Sequence, residues 1–72
     1  DTVILGSQVT VVEEGLDPET YIIVGSAEAN PGDGRISNES PLGKALIGHR
    51  AGDKVEFDTP GGQVEMELLR IE

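Results

Sequence analysis

Apolar residues alternate with polar ones in two stretches of the chain and cluster in a third, and each pattern predicts an element. From Gln8 to Glu13, Val9 and Val11 alternate with Thr10 and Val12, residue types suited to a pleated surface. Glu14-Gly15-Leu16-Asp17-Pro18 then breaks the pattern. Thr20-Tyr21-Ile22-Ile23-Val24 follows as a nearly continuous apolar run ended by Gly25. Such a run predicts a central strand covered on both faces, paired with the first as a hairpin. The second alternating stretch sets Val55 and Phe57 against Glu56 and Asp58, turns at Pro60-Gly61-Gly62, and returns with Val64, Met66 and Leu68 against Glu65 and Glu67. After Leu68 the apolar phase slips, because Leu69 and Ile71 lie on the opposite parity. A bulge, or a strand end buried on both faces, would account for the slip.

Between the two predicted hairpins the pattern changes character. Ser26 to Gly34 is polar, and Asn30-Pro31-Gly32-Asp33-Gly34 supplies the dihedrals of tight turns rather than a regular element. Arg35-Ile36-Ser37 predicts a short edge strand. Ser40 offers a capping hydroxyl, and Pro41 sits at the first helical position, where a missing N–H costs nothing. Leu42, Ala45 and Leu46 then share a helical face, and Gly48 can supply the left-handed residue that ends the helix after about two turns. At the start of the chain Asp1 stands where an initiator methionine is expected, and Val3-Ile4-Leu5 reads as the beginning of a strand. The chain therefore reads as a fragment of something larger. Strands, one short helix and more strands predict an α+β domain whose sheet curls over the helix, which is too short to stand without it.

Length and charge narrow the functional classes. Seventy-two residues allow a single domain over 1–72, and a domain of this size buries only about 60% of the surface its unfolded chain exposes. Cysteine is absent, so packing has no disulfide to help it. Five basic and 14 acidic residues give a net charge of -9, which argues against binding DNA, RNA or an anionic membrane and for a basic protein surface as partner. No apolar run approaches the roughly 18 residues of a membrane-spanning helix.

The candidate chemistry is thin. Most carboxylates alternate with apolar residues on predicted strands, where a solvated face is their ordinary place. Asn30 and Asp33 lack the spacing and closing glutamate of a calcium loop, and Gly43-Lys44 lacks the flanking residues of a phosphate-binding loop. His49, the one histidine, sits just past the predicted helix, a position suited to the helix dipole. Asn38-Glu39-Ser40 has the form of a glycosylation sequon, but its serine is needed as the cap. Neither a catalytic set nor a metal or cofactor site emerges, and the chain is not expected to be an enzyme.

Taken in order, Tyr21-Ile22-Ile23-Val24-Gly25, Glu28-Ala29, Ile36-Ser37, Ser40-Pro41-Leu42-Gly43-Lys44-Ala45-Leu46-Ile47-Gly48, Gly52-Asp53 and Thr59-Pro60-Gly61-Gly62 resemble the C-terminal domain of GreA-type transcript cleavage factors of bacteria. The resemblance runs nearly end to end. It implies an FKBP-like fold, a twisted antiparallel sheet curled around one short helix. It also implies a cytoplasmic protein whose partner is bacterial RNA polymerase, gripped through the largest subunit at the rim of the secondary channel. In that family an N-terminal coiled coil, absent from these residues, enters the channel, and its acidic tip helps hold magnesium while backtracked RNA is cleaved. The family's polymerase-contacting step maps onto Glu39, Ser40 and Pro41.

Two other readings compete with a docking module that stimulates cleavage. One is a Gre-like inhibitor of polymerase, which differs only in the coiled-coil half. The other is a prolyl isomerase, suggested by the FKBP-like fold alone. Pockets of that kind are largely apolar and aromatic, and this chain offers only Tyr21 and Phe57.

Overall fold

The computed structural model describes all residues, 1–72. Five strands form one sheet: β1 (Gln8–Glu13), β2 (Glu19–Val24), β3 (Arg35–Ser37), β4 (Lys54–Thr59) and β5 (Gly62–Ile71), in the spatial order β3-β2-β1-β5-β4. The one α-helix, α1 (Pro41–Leu46), lies between β3 and β4 in the chain. The architecture is the expected α+β one, a curled sheet holding a short helix. Its pairs are antiparallel except one: β3 joins β2 in parallel, with Ile23 opposite Ile36. A parallel neighbour cannot be reached by a tight hairpin, so residues 25–34 must carry the chain back before β3 begins.

That return is more regular than its composition suggests. Ser26–Glu28 and Pro31–Asp33 each form a single 3-10 turn, and Gly34, at φ 79°, takes the left-handed conformation that releases the second. The Asp33 carboxylate accepts from Asn30 Nδ2 at 3.1 Å and from Arg35 Nη2 at 3.2 Å, which gives this segment its turn chemistry.

The core lies on the inner face of the sheet. Val9 and Val11 of β1, Ile23 of β2, Ile36 of β3, Val55 of β4 and Leu68 of β5 meet Leu46 of α1 and Val3, all buried. The slip in phase at the end of β5 is a bulge: Val11 pairs with Leu68 but Thr10 pairs with Arg70, leaving Leu69 unpaired. Without the extra residue Val9 would face Arg70, and a guanidinium would point at the core. With it Val9 faces Ile71, which packs against the core, and Leu69 turns outward. The last hairpin is tighter than expected, because Thr59 pairs with Gly62 across the two residues Pro60 and Gly61.

Two expectations need correction. β2 is flanked on both edges but covered on one face only: Ile23 is fully buried, whereas Ile22 is 36% exposed and Thr20 lies open. A single apolar side chain left on the outer face of a sheet is ordinary, so an apolar run need not be buried on both faces. Val3-Ile4-Leu5 is not a strand. Val3 instead exchanges backbone hydrogen bonds with the far end of the helix, its N–H donating to His49 O and its carbonyl accepting from Gly48 N, each at 2.9 Å. This pins the start of the chain beneath α1 and leaves Ile4 and Leu5 outside.

Candidate functional site

The junction between β3 and α1 gathers the three residues singled out in the sequence. Ser40 is the N-cap, and its hydroxyl works in both directions: Oγ donates to Ser37 O at 2.7 Å and accepts from Gly43 N at 3.1 Å. Its backbone N–H also donates to Ser37 O, at 3.0 Å, closing the turn. Pro41 occupies the first helical position with its ring exposed, and Glu39 is exposed beside it. Ser40 is half-buried and faces inward. The three therefore divide into one anchoring residue and two that face solvent.

Gly43 makes this junction possible. A Cβ built on it would lie 2.0 Å from Ser37 O and 3.0 Å from the same carbonyl carbon. Only the absence of a side chain lets the first turn of α1 rest on the end of β3. The close approach in turn fixes the Ser37 carbonyl that holds Ser40.

Glu39 is held from the other side. Ser26 Oγ donates to Glu39 Oε1 at 2.9 Å, Ser26 Oγ and Ser37 Oγ lie 2.9 Å apart, and Glu39 N donates to Ser37 Oγ at 2.9 Å. The participation of Ser26 is invisible to a local sequence reading, since it lies 13 residues away. It arrives there because β3 returns parallel to β2, bringing the Ser26–Glu28 turn against the end of β3.

Next to this step lies an apolar surface. Ile4 and Leu5, 62% and 56% exposed, join Ile47, 39% exposed, and with Asn38 and Lys44 line an open depression of about 430 Å³. Asn38 is the neighbour of Glu39, so the apolar surface and the Glu39 step are continuous along the chain. Ile4 and Leu5 were expected within a strand; Gly6, at φ 95°, was the signal that the chain turns instead.

Away from the junction, the His49 ring, just past the end of α1, pairs with an acidic neighbour. Its Nδ1 lies 3.0 Å from Asp53 Oδ2, which also accepts from Arg50 N at 3.0 Å. The Arg50 N–H and then the His49 ring hold the Asp53 carboxyl below its ordinary range. The Tyr21 hydroxyl donates to Glu19 Oε1. That hydrogen bond, then burial and the negative charge of Glu19, push the phenol up to about 12. Both pairs are local surface arrangements. No three His, Asp or Glu side chains converge in a group that could hold a metal.

The curled five-strand sheet with its short capped helix defines a domain class, and the whole sequence agrees with it. Residues 1–72 match the family described as transcription elongation factor, GreA/GreB, C-term. The chain belongs to this family. Among its relatives, a transcription elongation factor GreA from Geobacillus kaustophilus is 49% identical over 73 residues, covering 99% of this chain and 46% of that protein. A GreA from Chloroflexus aurantiacus is 56% identical over 68 residues, covering 93% and 43%. The crystal structure of GreA factor homolog 1 (Gfh1) of Thermus thermophilus superposes with a TM-score of 0.85 at 37% identity, covering all of this chain and 49% of that one. The chain thus spans a little less than half the length of the relatives it matches. None of its helices is long and apolar enough to cross a membrane.

Proposed function

We propose that this domain is the docking half of a cytoplasmic transcript cleavage factor, seating the protein on bacterial RNA polymerase through Glu39 and Pro41. The secondary-channel rim of the largest subunit is the proposed surface. The observation that carries the reading is the presentation of these two residues. Both are exposed, yet Ser40, Ser37 and Gly43 hold the backbone between them by hydrogen bonds and close packing. A contact held rigidly before binding loses little conformational freedom on binding. The adjoining Ile4, Leu5 and Ile47 would add apolar area, and the net charge of -9 favours a basic partner over nucleic acid. The domain itself carries out no catalysis in this reading, and the RNA cleavage it supports belongs to the polymerase.

A stimulating factor and a Gre-like inhibitor share this docking role, because they differ in the coiled-coil half and the identities to GreA and to Gfh1 are both measured over the present domain. Prolyl isomerase activity gains no support: Tyr21 and Phe57 lie on β2 and β4, with β1 and β5 between them in the sheet. The test is binding of the 72-residue domain to polymerase core, together with a transcript cleavage assay on backtracked complexes. Weak binding without cleavage is expected. Combined Glu39→Ala and Pro41→Ala should weaken binding by about tenfold, the size of a modest interface contact. Unchanged binding by a correctly folded double variant would sink the assignment.

A further inference from the structure

The hydroxyls around Glu39 can be assigned donor by donor. Ser26 has one hydroxyl proton, and it is committed to Glu39 Oε1. The proton between Ser26 and Ser37 must therefore come from Ser37, whose Oγ accepts in turn from Glu39 N. The result is a closed circuit of three hydrogen bonds. It leaves the backbone N–H of Glu39, passes through Ser37 and Ser26, and returns to the carboxylate of the same residue. Each hydroxyl donates once and accepts once, and the last acceptor is an ionised oxygen, the arrangement that makes such bonds strongest. Oε1 is occupied by Ser26, and no protein donor is assigned to Oε2.

We propose that Ser26 and Ser37 are positioning residues for Glu39, holding its carboxylate in one orientation so that Oε2 meets a cationic side chain, guanidinium or ammonium, on the partner. The role in docking rests on the polymerase-docking reading above, whereas the orientation itself does not. A glutamate side chain on a surface ordinarily samples several rotamers, and ordering it on binding weakens the complex by about two- to tenfold. The circuit removes that loss in advance. Ser37 is fixed from behind by the Gly43 contact at its carbonyl, so the circuit has a rigid base. Ser26 is its exposed and replaceable link.

Two measurements on the full-length protein separate the orientation from the docking. Three-bond couplings across the Glu39 Cα–Cβ bond should report one rotamer, and Ser26→Ala should average them, while Ser26→Thr, which keeps the hydroxyl, should restore them. Averaged couplings in the unaltered protein would overturn the positioning role. Affinity for polymerase core is then measured for Ser26→Ala, Glu39→Ala and the double variant. Ser26→Ala should weaken binding by about two- to tenfold alone and have no further effect once Glu39 is alanine. Equal losses in both backgrounds would mean that Ser26 acts on something other than Glu39, and no loss in either would remove its role in docking. If Glu39→Ala alone leaves affinity unchanged, the docking site is wrong, and the couplings still decide the orientation. Glu39→Gln keeps an acceptor for Ser26 but loses the charge. It should weaken binding as much as Glu39→Ala if the partner group is a cation, and equal affinity to the unaltered protein would exclude one.

Discussion

The β4–β5 hairpin and the β3–α1 junction are built on different principles, although both have exposed tips and follow one another in the chain. The hairpin is held by period: Val55, Met66 and Leu68 face the core at alternate positions, and a two-residue turn sets the register. The junction is held by individual atoms: a hydroxyl that donates and accepts at Ser40, a missing Cβ at Gly43, and a circuit of three hydrogen bonds around Glu39. A periodic structure tolerates changes at its outward positions. An atom-by-atom structure does not, and it can therefore present a side chain in one orientation.

Substitutions should separate the two. The largest effect is expected where both regions share the core. Leu46 of α1 is fully buried, and Leu46→Ala should cost about 2–5 kcal/mol in denaturant unfolding. That is a large part of the stability of a small domain. Gly43→Ala should follow, at about 1–3 kcal/mol for forced overpacking. It should also displace the amide resonances of Ser37 to Ser40 while leaving those of β4 and β5 in place. A loss spread evenly over both regions would show that the junction is not a separate unit. Ser40→Ala removes a cap and should cost about 1 kcal/mol, without disturbing the hairpin.

Much of this was legible in the sequence, and the reasons are local. Ser40-Pro41 announces a helix start because a cap and a preset φ act within a few residues, and Gly48 takes the left-handed conformation expected of it, at φ 88°, although the non-helical backbone of Ile47 has already ended the helix at Leu46. The slip at Leu69 was visible as a change of parity and proved to be a bulge. What could not be read depends on distant pairing. Nothing near Val3 says that its backbone will bond to the end of α1, and nothing near Ser26 says that it will reach Glu39. The parallel placement of β3 decides the second of these, and three residues carry too little pattern to indicate direction. Ile22 misled for a related reason, since an apolar run does not report which of its faces the sheet will cover.

The smaller predictions sharpen the contrast from the hairpin side. Glu56 and Glu65 lie directly opposite each other on β4 and β5, and like charges so placed repel. Glu65→Lys should therefore raise stability by about 0.2–1 kcal/mol in urea unfolding at low salt, and a loss of stability would show that the outward face of the hairpin is less tolerant than its periodicity implies. Near the hairpin's base, the Asp53 carboxyl sits below its usual value of 3.8 because Arg50 and His49 favour its charged form. The folded state then keeps this charge at a pH where the unfolded chain takes up a proton. Its contribution is present above that value and is lost as pH falls through the lower folded one. The stability gap between the unaltered protein and Asp53→Asn should accordingly narrow in acid. A gap that is constant between neutral pH and strong acid would remove Asp53 from the account.

The central claim is that the domain meets its partner at the junction and not at the hairpin. Cross-saturation from unlabelled RNA polymerase core to the isotopically labelled domain tests this directly. The account predicts that the amides of Ser26, Asn38, Glu39, Ser40 and Leu42 lose intensity while those of Gly61 and Gly62 do not. Intensity loss centred on the β4–β5 turn, with the junction unaffected, would contradict it.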